Sequence, residues 1–329
     1  MGQDTKNNSI LYSAFKMIVK GIIRFLVVLP SGKSTLRNLI TFATWLPPEL
    51  RLKFRGVLEP LGKEEVIETV FLGSKFYYPS NSVIGMRISE YGNWEGLDYS
   101  AVVTQLFSKA KNIIDVGGNI GADTILMAKR VQEGCRIIVF EPIDKYRVIL
   151  ERNISEAKLN NVEIHRQFLS CVSGKEIVMF RTTFSASAVE TGVSSFPTVD
   201  TQKVTTITLD QFIEDNPSID SIDLLKIDTD GFDQDVMEGS KNMVKKFKPY
   251  LLVEFSGYLL EKTGKSNASF AKLLHEYGYD EFILFKKKDA PVTKIQGWEK
   301  LVNEIRDDSS VDVLAIPSEV KSGNFVGIV

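Results

Sequence analysis

The sequence predicts an α/β fold built on an open, mostly parallel sheet with helices on both faces. Three observations carry this reading. Between about residue 105 and residue 290, short apolar runs alternate with amphipathic helical stretches, the pattern of repeated strand–helix–strand units. Four of the five runs are followed at once by a carboxylate: Asp115, Glu141, Asp228 and Glu254. The first run leads directly into a glycine-bearing turn ahead of a helix, Asp115-Val116-Gly117-Gly118-Asn119-Ile120-Gly121.

The five runs are 112–114, 136–140, 162–164, 223–227 and 250–253, and helices are expected over roughly 121–132, 144–158, 208–215, 233–246 and 267–277. Thr208 followed by Gln211 fits a capping box, Gly134 and Gly239 are stop or bend signals, and Pro249 keeps the chain extended before the fifth run. Residues 174–207 break the alternation. They read as a β-rich insertion, with Ile177 to Arg181 and Lys203 to Thr208 as strands around a Ser/Thr-rich loop.

Residues 1–80 read as an N-terminal helical extension and linker, and 81–329 as the main domain. From Ile10 to Leu29 the chain is mostly apolar, but Lys16, Lys20 and Arg24 interrupt it, so no charge-free run is long enough to span a membrane. On a helix those cations share one stripe opposite a broad apolar face. Such a segment suits either a membrane surface or burial against its own protein or a partner subunit. With a second helical stretch, Leu36 to Leu46, it marks 10–46 as a peripheral membrane contact or an oligomer contact. Two short β-like runs follow, Val66 to Leu72 and Lys75 to Tyr78. Ser31-Gly32-Lys33-Ser34 lacks the earlier glycine of a P-loop, since Val27 stands there. No signal-peptide cleavage pattern follows the apolar stretch, and Lys6 disfavours myristoylation. The expected location is cytoplasmic, at most peripheral on the inner membrane surface.

Composition narrows the chemistry. The 329 residues carry 40 Lys+Arg against 42 Asp+Glu, a net charge of -2, which is not the profile of a nucleic-acid binder. Two His (His165, His275) and two Cys (Cys135, Cys171) nearly exclude zinc clusters, a disulfide framework and most His-based triads. Acid–base or metal chemistry must therefore rest on carboxylates. In an open parallel sheet, ligands lie beyond the carboxyl ends of the strands, so the four strand-end carboxylates are expected to converge on one site. Gly117 and Gly121 allow close backbone approach and a tight turn into a helix whose first N–H groups face the ligand. Glu141, 20 residues after Gly121, can accept both hydroxyls of a ribose. Asn119 occupies the place of the second glycine of a dinucleotide fingerprint, which points to a nucleoside without pyrophosphate.

The motifs Asp115 to Gly121, Phe140-Glu141-Pro142, Thr208-Leu209-Asp210 and Leu225-Lys226-Ile227-Asp228-Thr229-Asp230-Gly231 resemble those of the FkbM-type S-adenosylmethionine-dependent methyltransferases. Met237-Glu238-Gly239, Val253-Glu254, Gly278-Tyr279 and the stretch Tyr91 to Glu95 extend the resemblance over roughly residues 85–290. It implies a class I methyltransferase, Rossmann-like, seven-stranded sheet whose last, antiparallel strand Val311 to Ile316 or Glu281 to Phe285 could supply. It also implies that Asp115, Gly117 and Gly121, with Gly118 and Asn119 in the same turn, hold the methionine part of S-adenosyl-L-methionine. Glu141 would hold the ribose, and Gln167 to Ser170, with Phe168 and Leu169, the adenine. Gly118 replaces a usual Ala, Ile143 a usual Asn, and Asp230-Gly231-Phe232-Asp233 a usual Glu-Gly-Ala-Glu, a departure on the acceptor side.

Methyl transfer from a sulfonium needs an aligned and deprotonated acceptor. A carboxylate base meets this need without histidine, as does a divalent cation such as Mg held by Asp228 and Glu254. Asp228 is the first choice as base, Glu254 the second and Asp230 the third. Lys226 shares a strand face with Asp228 and could pair with it or simply cover the sheet. Trp94 reads as either acceptor lining or packing, and both His as packing or surface residues. The leading expectation is O-methylation of a hydroxyl on a small-molecule, sugar or lipid-linked glycan acceptor. The alternatives are a non-catalytic nucleoside-binding or membrane-associated interaction module and, weakened by Asn119, an NAD-dependent oxidoreductase.

Overall fold

After two short strands, β1 (Val66–Phe71) and β2 (Ser74–Pro79), five strands form the parallel centre of the large sheet: β3 (Asn112–Val116), β4 (Arg136–Phe140), β5 (Val162–His165), β10 (Leu224–Ile227) and β11 (Tyr250–Ser256). Nearly unbroken apolar strands are those covered on both faces, and β3, β4, β10 and β11 are almost wholly buried. The computed structural model describes residues 65–80, 82–94, 101–181, 186–189, 200–285, 293–305 and 310–319. The predicted helices within 10–46, and the membrane or oligomer contact read from them, lie outside the described residues. Among the described residues no helix is long and apolar enough to cross a membrane.

The large sheet runs β13-β12-β14-β11-β10-β3-β4-β5, with β12 at Tyr279–Phe285, β13 at Thr293–Gln296 and β14 at Ser310–Pro317. Of the two segments expected to supply the antiparallel strand, Val311 to Ile316 does so. It lies in β14, which inserts antiparallel to both β11 and β12. Glu281 to Phe285 lies in β12 and runs in the same direction as β11. There are eight strands rather than seven because β13 returns antiparallel along β12 and covers what would be its open edge.

The register fixes which side chains share a level. Asp115 is the neighbour of Val139 on one side and of Lys226 on the other, and Lys226 is the neighbour of Leu252. One step beyond the ends of β4, β3 and β10, Glu141, Gly117 and Asp228 stand in a row, level with Glu254 inside β11. Alternation puts Asp115, Lys226 and Asp228 on one face of the sheet with Ile113 and Leu224. That face packs on α2 (Ala101–Lys109) and α3 (Ala122–Ala128) through Phe107, Leu126 and Met127. Ile114, Val116, Leu225 and Ile227 face the other layer, formed by α5 (Leu209–Asp215), α6 (Asp233–Glu238), α7 (Lys241–Phe247) and α9 (Asn267–Glu276).

Helix boundaries show what long-range contacts decide. The single helix expected over 233–246 is two, α6 and α7, split at Gly239. A Cβ on Gly239 would sit 2.1 Å from the Ser170 carbonyl oxygen, and the Asp210 carboxylate accepts from the N–H groups of Asn242 (2.9 Å) and Met243 (2.7 Å) to start α7. Thr208 caps α5 by accepting from the Gln211 N–H, but the Gln211 side chain donates to Asp215, so the reciprocal half of the box is not made. The complete box is formed at the start of α9 by Ser266 and Ser269.

The insertion is β-rich as expected. β7 (Glu176–Arg181) pairs antiparallel with β9 (Asp200–Ile207) and β8 (Ala186–Val189). Phe168 and Leu169 form the short strand β6, parallel to β9. Chain contacts separate two units, one holding residues 65–67 and 78–91, the other 68–77 and everything described from Gly92 on. In the first, Gly85 of α1 (Val83–Tyr91) lies so close to the Tyr78 ring that a Cβ would be 2.0 Å from its Cγ. In the second, the fully buried Asn153 of α4 (Asp144–Glu156) accepts from the Tyr77 N–H (2.7 Å) and donates to the Tyr77 and Ile120 carbonyls. Three of the four hydrogen-bonding positions of that amide head are used inside the fold, on the N–H and carbonyl of Tyr77 and on the turn before α3.

Candidate active site

A cleft of about 530 Å³ opens at the carboxyl ends of β3, β4 and β10. This is the crevice position that an open parallel sheet provides. One end is bounded by Glu141, Ile143, Tyr146, Phe168, Leu169 and Met179, the other by Asp228, Thr229 and Asp230, with Gly117 and Asn119 between. The apolar end is built by the insertion. Ile177, Met179 and Val204 pack with Ile143 and Phe168, and Gln202 accepts from the Asp144 N–H (3.0 Å) while donating to the Pro142 carbonyl (2.9 Å). The insertion thereby fixes the turn that carries Glu141.

Glu141 is 4% exposed, and its two oxygens accept from the N–H groups of Asn119 (2.7 Å) and Ile143 (2.8 Å). Burial pushes its carboxyl up to about 7, against the two backbone donors. The turn before α3 is closed by the same kind of contact. Gly117 and Gly118 N–H both donate to the Phe140 carbonyl (3.0 Å each), Ile120 N–H to its neighbour's Asn119 Oδ1, and Gly121 N–H to the Gly118 carbonyl. The N–H groups of the turn itself, residues 117–121, do not face the cleft. All five donors of 117–121 are used internally, so the turn offers the cleft a shape and no anion cradle.

The glycines serve that shape in different ways. Gly117 has φ +93°, and a Cβ there would lie 1.9 Å from the Asp228 carbonyl oxygen. Gly117→Ala is accordingly expected to cost at least about 1–3 kcal/mol, read as a lowered midpoint in chemical denaturation. Gly118 and Gly121 do not line the cleft. A Cβ on Gly118 would be 2.3 Å from Val139, and one on Gly121 would be 2.6 Å from Leu150, so both residues are small for packing against β4 and α4.

Asp115 is likewise not at the cleft wall. It lies one alternation deeper than the other strand-end carboxylates, has no exposure, and accepts from the Thr124 hydroxyl at 2.6 Å. Beside it stands Lys226, whose ammonium lies 3.6 Å from Asp115, 3.5 Å from Asp123 and 3.3 Å from Asp228. The Lys226 side chain is 6% exposed. Burial alone would lower its pKa, but Asp228, Asp115 and Asp123 more than offset this and raise it well above the ordinary range. Of its three partners, Asp228, with a side chain 45% exposed, is the one that also lines the cleft. Of the two roles that strand alternation left open for Lys226, pairing with Asp228 is made, as part of a four-membered cluster.

Asp123 and its partner were not anticipated from the sequence. Asp123 sits in the first turn of α3, is pushed up to about 6 by burial against the pull of Lys226, and accepts from the Trp94 indole N–H at 2.7 Å. An acidic residue in a first helical turn is common enough to carry no signal by itself. Only the sheet register reveals that it faces Lys226.

Asp230 takes a left-handed φ of 53° in the turn between β10 and α6, and is pushed up to about 7 by burial and then by Asp228 and Asp233. Asp233 accepts from the N–H groups of Thr229 and Gly231 and so shapes the same turn. Burial and its acidic neighbours, Asp228 first, raise Glu254 above the usual carboxylate range; it stands one strand outward, opposite Asp312, and does not line the cleft. The divalent-cation reading of Asp228 and Glu254 does not fit this arrangement. Among the described residues, the three carboxylate and thiol groups that converge closely enough for one ion are Cys171, Asp235 and Glu238, which do not include Asp228 or Glu254, and the cation beside Asp228 is Lys226. His165 packs between Phe140 and Phe212, and His275 pairs with Asp280 at the surface.

The strand order, with an antiparallel β14 between β11 and β12, and the cleft at the strand ends define a class I methyltransferase fold. The model of the methyltransferase FkbM domain matches residues 115–281, just over half of the chain, and the protein belongs to that family. A curated protein named Methyltransferase 1 from Beauveria bassiana (strain ARSEF 2860) is 26% identical over 147 residues. The match covers 39% of this chain and 57% of that protein, so the chain spans little more than half the length of this relative. Among solved structures, the methyltransferase FkbM from Methylobacillus flagellatus KT is 13% identical, with 62% of this chain and 43% of that chain covered and a TM-score of 0.37. The O-methyltransferase from Bacillus cereus in complex with SAH is 16% identical, with 65% and 77% covered and a TM-score of 0.35.

Proposed function

We propose that the protein transfers the methyl group of S-adenosylmethionine to a hydroxyl of a small-molecule, sugar or lipid-linked glycan acceptor. The observation that carries the reading is the cleft of a family methyltransferase domain with one carboxylate, Glu141, at its apolar end and two, Asp228 and Asp230, at the other. The residues present fit the cofactor: a buried carboxylate for vicinal hydroxyls beside an apolar slot between Phe168, Leu169 and Tyr146 for a base. When bound, the cofactor supplies the electrophilic methyl. The chain's own work is then to hold the acceptor in line and to accept its proton. Asp228 is the proposed base, because its carboxylate is open to the cleft on one side and fixed by Lys226 on the other. Asp230 is the second candidate beside it, and Glu254 is a more distant contributor to the local charge.

Calorimetric titration with S-adenosylmethionine and with NAD separates this reading from an oxidoreductase, and binding of NAD alone would sink it. Labelled S-adenosylmethionine incubated with extract from the source organism identifies the acceptor by the labelled product. With that acceptor, Asp228→Asn is expected to lower transfer at saturating cofactor by about 10²–10⁴-fold, and retained turnover would remove Asp228 from the role of base.

Glu141 makes cofactor binding pH-dependent. Ribose hydroxyls donate to its ionised form, which is about one-tenth populated at pH 6 and nine-tenths at pH 8 for a group titrating near 7. The dissociation constant is therefore expected to fall about tenfold from pH 6 to pH 8. A flat profile over that range would mean that the ligand does not bind through this carboxylate.

A further inference from the structure

We propose that Asp228 and Asp230 make the cleft selective for a cationic sulfonium over the neutral thioether that methyl transfer leaves behind. The inference rests on reading the cleft as the S-adenosylmethionine site and adds a specificity to it. Glu141 follows β4 and Asp228 follows β10, with β3 between them. Neighbouring strands are about 4.8 Å apart, so these carboxylates are separated by about 10 Å along the sheet edge. Between them is Gly117, which has no side chain. A ribose held by Glu141 therefore carries its attached sulfur over Gly117 and toward Asp228 and Asp230.

Above pH 7, where Glu141 and Asp230 are ionised, the charges along this path are of one sign. Glu141, Asp228 and Asp230 line the cleft, and among the described residues no Lys or Arg lines it. Lys226 lies behind the wall and is already shared among Asp115, Asp123 and Asp228. On the same face of the sheet, the fully buried Asp115 and the partly buried Asp123 share the one Lys226 ammonium with Asp228, so acids outnumber the cation behind the wall. A positive charge brought over Gly117 is attracted from both the wall and the layer beneath it.

The same pair of charges explains release. As the acceptor oxygen takes the methyl, the O–C bond forms, the S–C bond breaks with its electron pair left on sulfur, and the acceptor's hydroxyl proton goes to Asp228. Sulfonium and carboxylate become neutral together, and their attraction ends with the reaction.

The test is calorimetric titration of the full chain with S-adenosylmethionine, its amine analogue sinefungin and S-adenosylhomocysteine. At about 50 mM salt the two cationic ligands are expected to bind about tenfold tighter than the thioether, and the margin is expected to shrink toward parity at about 0.5 M salt. Asp228→Asn and Asp230→Asn should each narrow the margin while leaving S-adenosylhomocysteine binding unchanged, which doubles as the folding control. Equal or tighter binding of the thioether at low salt, or a margin untouched in both variants, overturns the proposal. Failure of all three ligands to bind overturns instead the reading of the cleft on which it rests.

Discussion

Lys226→Met is expected to destabilise the fold by about 3–5 kcal/mol, because it leaves Asp115, Asp123 and Asp228 facing one another with no cation among them. The loss is read as a lowered midpoint in urea or guanidinium unfolding. It should depend on pH with a definite sign. The repelled carboxylates of the variant bind protons more tightly folded than unfolded, so the deficit is largest above neutral pH and shrinks as pH falls toward 5. Asp123, already pushed up to about 6 in the wild type, moves further in that direction once Lys226 is gone. Adding Asp115→Asn to Lys226→Met should recover part of the loss by removing a buried charge without changing volume. If Lys226→Met unfolds at the wild-type midpoint at pH 8, the ammonium does not hold this cluster together.

Glu141→Gln is expected to weaken S-adenosylmethionine binding by about 10–100-fold, since hydrogen bonds to a charged partner are each worth about 1.5–3 kcal/mol. The substitution acts twice. It removes the charge that ribose hydroxyls donate to, and it turns one acceptor into an NH2 group against the Asn119 or Ile143 N–H that Glu141 now satisfies. Isothermal titration measures the first effect, and thermal denaturation of the unliganded protein measures the second. Binding within threefold of wild type would place the ribose elsewhere in the cleft.

Much of the fold was legible because it rests on local periodicity. Apolar runs of three to five residues separated by amphipathic stretches marked β3, β4, β5, β10 and β11, and the Ser/Thr-rich interruption marked the insertion. Legibility stopped where a boundary is set from outside the element. Nothing near Gly239 in the chain shows that the Ser170 carbonyl crowds it or that Asp210 caps the next helix, so the split between α6 and α7 was hidden. The eighth strand, β13, was hidden for a related reason: it exists as the antiparallel return along β12, and its four residues have little pattern of their own.

The site divides in the same way. Glu141 and Asp228 were named from strand ends, Phe168 and Leu169 from the family resemblance, and all four line one cleft. Asp115, Gly118, Gly121 and Glu254 were named with them and do not. Asp123 and Lys226 were not named as members of the site, although together with Asp115 and Asp228 they make its most concentrated charge.

By itself the sequence determined the family, the five central strands, and a set of carboxylates at or near their carboxyl ends as candidates for the chemistry. Each of these follows from residue types and spacings within a few turns of chain. Tertiary structure alone decided which of those carboxylates lines the cleft. Level and face in a sheet depend on the register between strands far apart in sequence, here residues 112–116, 136–140 and 224–227, and a one-residue shift would exchange buried and exposed partners. The same register aimed Lys226 at three acids, and chain packing turned the N–H groups of 117–121 inward, leaving the cleft a shape and an excess of negative charge.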